Sequence, residues 1–82
     1  MSDWVVYLLL CNDSTYYCGI TNNLERRLSV HNKGRGARYT KTRTPVKLIA
    51  SSEKMSRQDA MKLEKKVKKL PKQKKLSLLN NH

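Results

Sequence analysis

Cysteine and histidine are scarce in this chain. Cys11 and Cys18 are too few for a disulfide scaffold, and with only His31 and His82 they make no zinc spacing, so buried reduced thiols are expected. No apolar stretch reaches the ~18 residues that a membrane-spanning helix needs, and no cationic start leads into an apolar run with a small-residue cleavage site. A cytoplasmic protein without a membrane partner is the expectation. Glycine is sparse too: Gly34-Arg35-Gly36 lacks the third glycine and the strand-then-helix context of a dinucleotide fingerprint. Acid is the scarcest charge, with 6 Asp+Glu against 18 Lys+Arg, a net charge of +12 and a pI near 10.1. That imbalance points to a polyanion, nucleic acid first, although basic faces also serve ribosomes or anionic membranes. The 82 residues fit one small domain, 1–82, with a modest core.

What is present begins with an uncharged run, Trp4-Val5-Val6-Tyr7-Leu8-Leu9-Leu10-Cys11, whose β-branched and aromatic content suits a central strand covered on both faces. Asn12-Asp13-Ser14 supplies turn chemistry and Thr15-Tyr16-Tyr17-Cys18 resumes β-favouring residues, which predicts a hairpin. Gly19 marks the end of the second strand. Side chains alternate along strands, so if Tyr7 and Tyr17 share a face, Cys11 lies on it and Cys18 on the other, and the thiols cannot bridge. Asn22-Asn23-Leu24-Glu25 resembles a capping box with Asn22 as N-cap, opening a helix that stops near Gly34. Arg27 and His31, four apart on it, present a guanidinium and an imidazole together.

Lys33 to Thr44 is a loop rich in basic residues and devoid of acid, and its glycines let backbone approach a phosphate closely. Arg26, Lys33, Arg35, Arg38 and Lys41 are the candidate phosphate contacts. Tyr39 either stacks on a base or tacks the loop onto the core. Val46 to Ser51 alternates as a half-buried third strand, with Pro45 at its start. Ser56-Arg57-Gln58-Asp59 resembles a second capping box, and Ala60, Leu63, Val67 and Leu70 define an amphipathic helix. Glu64 sits at the edge of that stripe, where an ordinary pair with Lys68 is one reading. The lysines from Lys65 to Lys75 extend a groove or form a solvated face.

The ordered set of a hairpin with Tyr7, Tyr17-x-Gly19, Asn-Leu-Glu-Arg-Arg-Leu at 23–28, His-Asn-x-Gly-x-Gly-Ala-x-Tyr-Thr at 31–40 and Glu64 resembles the GIY-YIG nuclease superfamily, in particular its small stand-alone members. Val5-Val6-Tyr7 and Tyr17-Cys18-Gly19 stand for its two tripeptides, and both tyrosines and the second glycine are retained. The resemblance implies an α/β fold, a three-stranded antiparallel sheet flanked by about three helices. Strands are expected near 4–11, 15–20 and 46–51, and helices near 23–32, 57–69 and 72–79. It also implies a metal-dependent endonuclease in which Glu64 holds one Mg²⁺ or Mn²⁺, Arg27 clamps the phosphate and Gly19 is structural. Tyr7 is the first choice for general base and Tyr17 positions water or phosphate, with those roles open to exchange. Arg27 and the metal would help populate the Tyr7 phenolate. His31 polarises a tyrosine hydroxyl, bonds a phosphate oxygen or is structural. DNA is the expected substrate, RNA staying open. A role in repair or recombination follows by likeness to Slx-type structure-specific enzymes, as does a partner protein that adds specificity. The alternative is a binding module of the same fold that does not cut.

Overall fold

The uncharged run becomes β1 (Val5–Leu10), the middle strand of an antiparallel sheet of order β2-β1-β3 in a computed structural model that describes residues 2–80. β2 is Tyr16–Thr21 and β3 is Lys47–Ser51. Being central, β1 has both faces covered. Val6 and Leu8 join Cys18, Ala50, Ala60, Leu63, Val67 and Leu79 on one side, while Tyr7, Leu9, Cys11 and Val46 pack with Tyr17, Leu24 and Leu28 on the other. Full burial of each aliphatic side chain in β1 contributes about 1.5–3 kcal/mol. The first layer is closed by α3 (Arg57–Lys68) and α4 (Lys72–Asn80), the second by α1 (Leu24–Asn32). Among the described residues no helix is long and apolar enough to cross a membrane.

The hairpin forms through its turn. Asp13 Oδ1 accepts from the Thr15 backbone N–H and hydroxyl, and Ser14 takes the left-handed region at φ 69°. Asp13 Oδ2 also pairs with Arg43 Nε at 2.8 Å, fixing the basic loop against the turn. The Thr15 hydroxyl and then Arg43 hold the Asp13 carboxyl below its ordinary range. Tyr7 and Tyr17 share a face, and Cys18 belongs to the opposite layer from Cys11; both thiols are free and buried.

Four details depart from the sequence reading. Gly19 does not end β2: it pairs with Tyr7 in mid-strand, and a Cβ there would come within 2.7 Å of Tyr7 Cζ, so the glycine serves ring packing and not a turn. The N-cap of α1 is Asn23, whose side chain accepts from Arg26 N at 3.1 Å, because Thr21 Oγ1 already takes the Asn23 N–H and carries the chain one residue further before the helix begins. Glu25 is then one residue too early for a reciprocal cap. A fourth helix, the single turn α2 (Arg38–Lys41), lies inside the stretch read as loop. The β1–β3 register slips between Leu8 and Leu9, which breaks the alternation of β3 and leaves Leu48 38% exposed. The Ser56 cap of α3 is as expected, its hydroxyl accepting from Asp59 N at 3.1 Å.

Candidate active site

The centre of the second layer is polar. α1 carries Arg27 and His31 one turn apart, and His31 is fully buried. The Tyr7 hydroxyl lies 3.0 Å from His31 Nε2, and His31 Nδ1 lies 2.8 Å from Thr40 Oγ1 on α2. Tyr17 meets His31 edge-on at 5.3 Å between ring centroids and Tyr7 at 6.4 Å. Arg27 Nη2 donates to the Gly36 carbonyl at 2.9 Å, which ties down the loop before α2 and uses one of the guanidinium's five N–H groups. Gly36 in turn covers the imidazole so closely that an added Cβ would overlap its ring. Thus Tyr7, Tyr17, Arg27 and His31 come together, with Gly19 against the Tyr7 ring.

Burial governs the charge state here. It raises the Tyr7 phenol above its ordinary value against the pull of the Arg27 guanidinium, and the neighbouring Tyr17 adds to the rise. Burial and then Arg27 push His31 down to about 4. The resting pair is therefore a neutral phenol and a neutral imidazole, and in the absence of a metal the pull of Arg27 does not outweigh burial at Tyr7. A consequence for stability follows. Unfolded, His31 titrates near its ordinary value of 6.5, so between pH 6.5 and about 4 the unfolded chain binds a proton that the folded chain refuses. Stability contributed by His31 should be complete above pH 6.5 and lost as pH falls to about 4, on the order of 3 kcal/mol. Urea unfolding from pH 7.5 to 4 checks this, and His31→Gln should flatten the part due to this residue.

The other candidates line the surroundings. Tyr39 stacks against Tyr17 at 5.9 Å, with the Arg43 guanidinium 4.1 Å from its centroid and Arg43 Nη1 donating to its carbonyl. With its ring so engaged, Tyr39 tacks α2 onto the core; stacking on a base would require Arg43 or Tyr17 to yield. Arg35, Arg38 and Lys41 line one shallow cleft with Gly34, Gly36 and Ala37. Arg26 and Lys33 line another along the outer side of α1 with Asn23, Ser29 and the acidic Glu25.

Glu64 is carried by a different layer from the aromatic cluster. It projects from α3 in the opposite layer, near enough to Cys18 to help raise that thiol to about 11, behind burial as the larger cause. Its carboxylate is 3.4 Å from Lys68 Nζ, the i,i+4 pair that the sequence allowed. β2 is an edge strand on which Tyr17 faces the aromatic cluster, while Cys18 faces the layer of α3 that carries Glu64. No group of three His, Cys, Asp or Glu gathers among the described residues. A lone carboxylate does not suit Zn²⁺, which takes three or four protein ligands, but it fits Mg²⁺ or Mn²⁺, which keep their waters and take the rest of their ligands from substrate phosphate. His82 lies outside the described residues.

Sequence reasoning missed Thr40, Gly36 and Asn32. Thr40 bonds His31, Gly36 covers it, and Asn32 clamps Val46 through Oδ1 at 2.7 Å and Nδ2 at 3.3 Å. All three lie inside the His31–Thr40 motif, which was the available signal.

Two tyrosines packed on a helix histidine, one of them hydrogen-bonded to it, beside an arginine on a three-stranded sheet, define a class of catalytic domain. The chain matches the GIY-YIG catalytic domain over residues 3–77 and belongs to that family. Among curated relatives it is 51% identical over 82 residues to UPF0213 protein YsiG of Lactococcus lactis subsp. lactis, covering 99% of this chain and 79% of that one. It is 49% identical over 76 residues to a UPF0213 protein of Nitratidesulfovibrio vulgaris, covering 93% of this chain and 69% of the relative. The fold is similar to the solution NMR structure of protein EF2693 from E. faecalis, with TM-score 0.63, 40% identity and coverage of 99% and 85% of the two chains. It also resembles that of the UPF0213 protein BH0048 from Bacillus halodurans, with TM-score 0.56, 38% identity and coverage of 94% and 82%.

Proposed function

We propose that this protein is a cytoplasmic, metal-dependent endonuclease that hydrolyses phosphodiester bonds in DNA, reads structure more than sequence, and serves repair or recombination. The observation that carries the reading is the Tyr7–His31 bond with Arg27 and Tyr17 beside it, next to one cleft lined by Arg26 and Arg27 and another lined by Arg35, Arg38 and Lys41. A fold alone does not require a buried imidazole bonded to a phenol, and membership of a catalytic-domain family supports the same conclusion.

In this reading Arg27 binds the scissile phosphate with the N–H groups not given to Gly36. As water attacks phosphorus, its proton passes to the Tyr7 oxygen while the Tyr7 proton moves to His31 Nε2, and the P–O bond to the leaving group breaks. Tyr17 orients the water or phosphate. Glu64 would hold one Mg²⁺ or Mn²⁺, whose chemistry when bound is neutralisation of charge on the phosphoryl and leaving oxygens. One domain of this size offers little surface for reading sequence, so branched, flapped or damaged DNA suits it, with a partner protein adding specificity.

Binding should be roughly micromolar or tighter, tolerant of sequence and steeply salt-dependent. Charge reversal at Arg35, Arg38 and Lys41, beside the site, should weaken it more than reversal at Lys72, Lys74 and Lys75. Lys72 is engaged elsewhere, donating to the Ser14 carbonyl and lying 4.7 Å from the Tyr16 ring centroid. Equal losses in fluorescence anisotropy titrations would place the groove elsewhere.

A binding module that does not cut is the second reading. It is favoured by the 1% exposure of Tyr7 and by the Glu64–Lys68 pair. Incubating the protein with branched and linear DNA and RNA in Mg²⁺, Mn²⁺ or EDTA tests the two. Metal-dependent cutting of branched DNA is expected, and cutting of RNA alone would reassign the substrate.

A further inference from the structure

Thr40 is fully buried on the short α2 helix and takes no part in the chemistry above, yet it holds the far side of His31. Three hydrogen bonds run in series: Tyr7 hydroxyl to His31 Nε2 at 3.0 Å, His31 Nδ1 to Thr40 Oγ1 at 2.8 Å, and Thr40 Oγ1 to the Ala37 carbonyl at 3.2 Å. Making all three at once fixes the direction of each. The Ala37 carbonyl can only accept whereas Nδ1 can accept or donate, so the one arrangement that makes both Thr40 bonds at once places its single hydroxyl hydrogen on Ala37. Oγ1 then faces Nδ1 as an acceptor, and Nδ1 must carry a hydrogen. A neutral imidazole has one N–H, which leaves Nε2 as a lone pair for the Tyr7 hydroxyl to donate to.

We infer that Thr40 is the positioning residue that keeps the His31 hydrogen on Nδ1 and so holds Nε2 ready for the Tyr7 proton. The use of that proton rests on the nuclease reading; the placement of the hydrogen does not. The reverse tautomer would need Thr40 to leave Ala37 and donate to Nδ1, and would turn Nε2 into a donor toward Tyr7. The groups facing His31 are Tyr7 from β1, Tyr17 from β2, Arg27 from α1 and Thr40 from α2, with Gly36 over the ring. Arg27 is the one charged group in that set, and among the described residues no carboxylate backs Nδ1. Orientation therefore comes from a neutral hydroxyl that supplies no counter-charge to an imidazolium, so a proton taken by Nε2 is held only in passing.

The test is long-range ¹H–¹⁵N correlation of the His31 ring in the full chain near neutral pH, with His82→Gln to identify it, alongside steady-state cleavage. Wild type should show Nδ1 protonated and Nε2 as acceptor. Thr40→Val keeps the shape and removes the hydroxyl, so it should move the hydrogen to Nε2 and lower kcat by about 10²-fold, with KM changed by less than about twofold. Thr40→Ser should restore both. Wild type with its hydrogen on Nε2, or Thr40→Val with wild-type tautomer and kcat, would overturn the assignment; if Thr40→Val does not fold, the wild-type and Thr40→Ser spectra decide it. Were the wild-type tautomer as assigned and no substrate cut, the nuclease reading would fail and the role of Thr40 in placing the hydrogen would stand.

Discussion

Tyr7→Phe is expected to lower kcat for DNA cleavage by at least about 10²-fold, with DNA affinity nearly unchanged. The ring still fills the space against Gly19, but the hydroxyl that bonds His31 Nε2, and that is proposed to take the proton of the attacking water, is gone. The fold should survive with reduced stability, because a buried Nε2 left without its donor costs roughly 1–3 kcal/mol. Arg27→Ala should match it in rate for a different reason: the proposed phosphate clamp is lost, and with it the bond to the Gly36 carbonyl that seats the loop. Tyr17→Phe separates the two tyrosines. If Tyr17 only orients water, the loss is milder than in Tyr7→Phe; if Tyr17 is the base, the order reverses. Single-turnover rates with saturating enzyme provide the comparison.

Gly36→Ala should be the most damaging change that alters no functional group. The new Cβ would lie within 2.6 Å of His31 Cγ and 2.8 Å of its Cε1, and that ring is held by Tyr7 and Thr40 and flanked by Tyr17. Relief requires the loop to lift, which breaks the Arg27–Gly36 bond and strains the Thr40–His31 bond. Overpacking of this kind costs about 1–3 kcal/mol. Cleavage should fall with it, since the clamp and the imidazole move together. Gly34→Ala is the control: φ is +75° there, but the nearest atom to an added Cβ is the Lys41 carbonyl oxygen at 4.0 Å. Its cost should be backbone strain alone, roughly 1–2 kcal/mol, with the site geometry kept. Denaturant midpoints and cleavage rates measured on both variants check the contrast.

The β1–β2 hairpin, α3 and the shared face of Tyr7 and Tyr17 were legible because they rest on local patterns: an uncharged run, turn chemistry and a period of two. α2 was not. A single turn has no stability of its own, and Arg38–Lys41 is helical because Thr40 bonds His31, Tyr39 stacks on Tyr17 and Arg43 ties the following residues to Asp13. The α1 cap was misplaced by one residue because Thr21, from the preceding strand, occupies the Asn23 amide. The register slip opposite Leu8 and Leu9 depends on two strands at once and leaves no mark in either. At the site, spacing along α1 brought Arg27 and His31 together, whereas Thr40 and Gly36 reach His31 only across the loop that separates α1 from α2. Placing Glu64 in the opposite layer from Tyr7 likewise needed the packing of α3 on the sheet.

The most direct measurement is cleavage of a branched DNA duplex in Mg²⁺ by wild type and Glu64→Ala, each shown to be folded and to bind the DNA. Wild type should cut and lose activity in EDTA. Glu64→Ala should bind about as well and cut at least about 10²-fold more slowly, since the carboxylate proposed to anchor the cation is gone. Normal cutting by Glu64→Ala, or folded wild type that binds DNA and metal yet leaves every substrate intact, would contradict the nuclease account and favour the binding module.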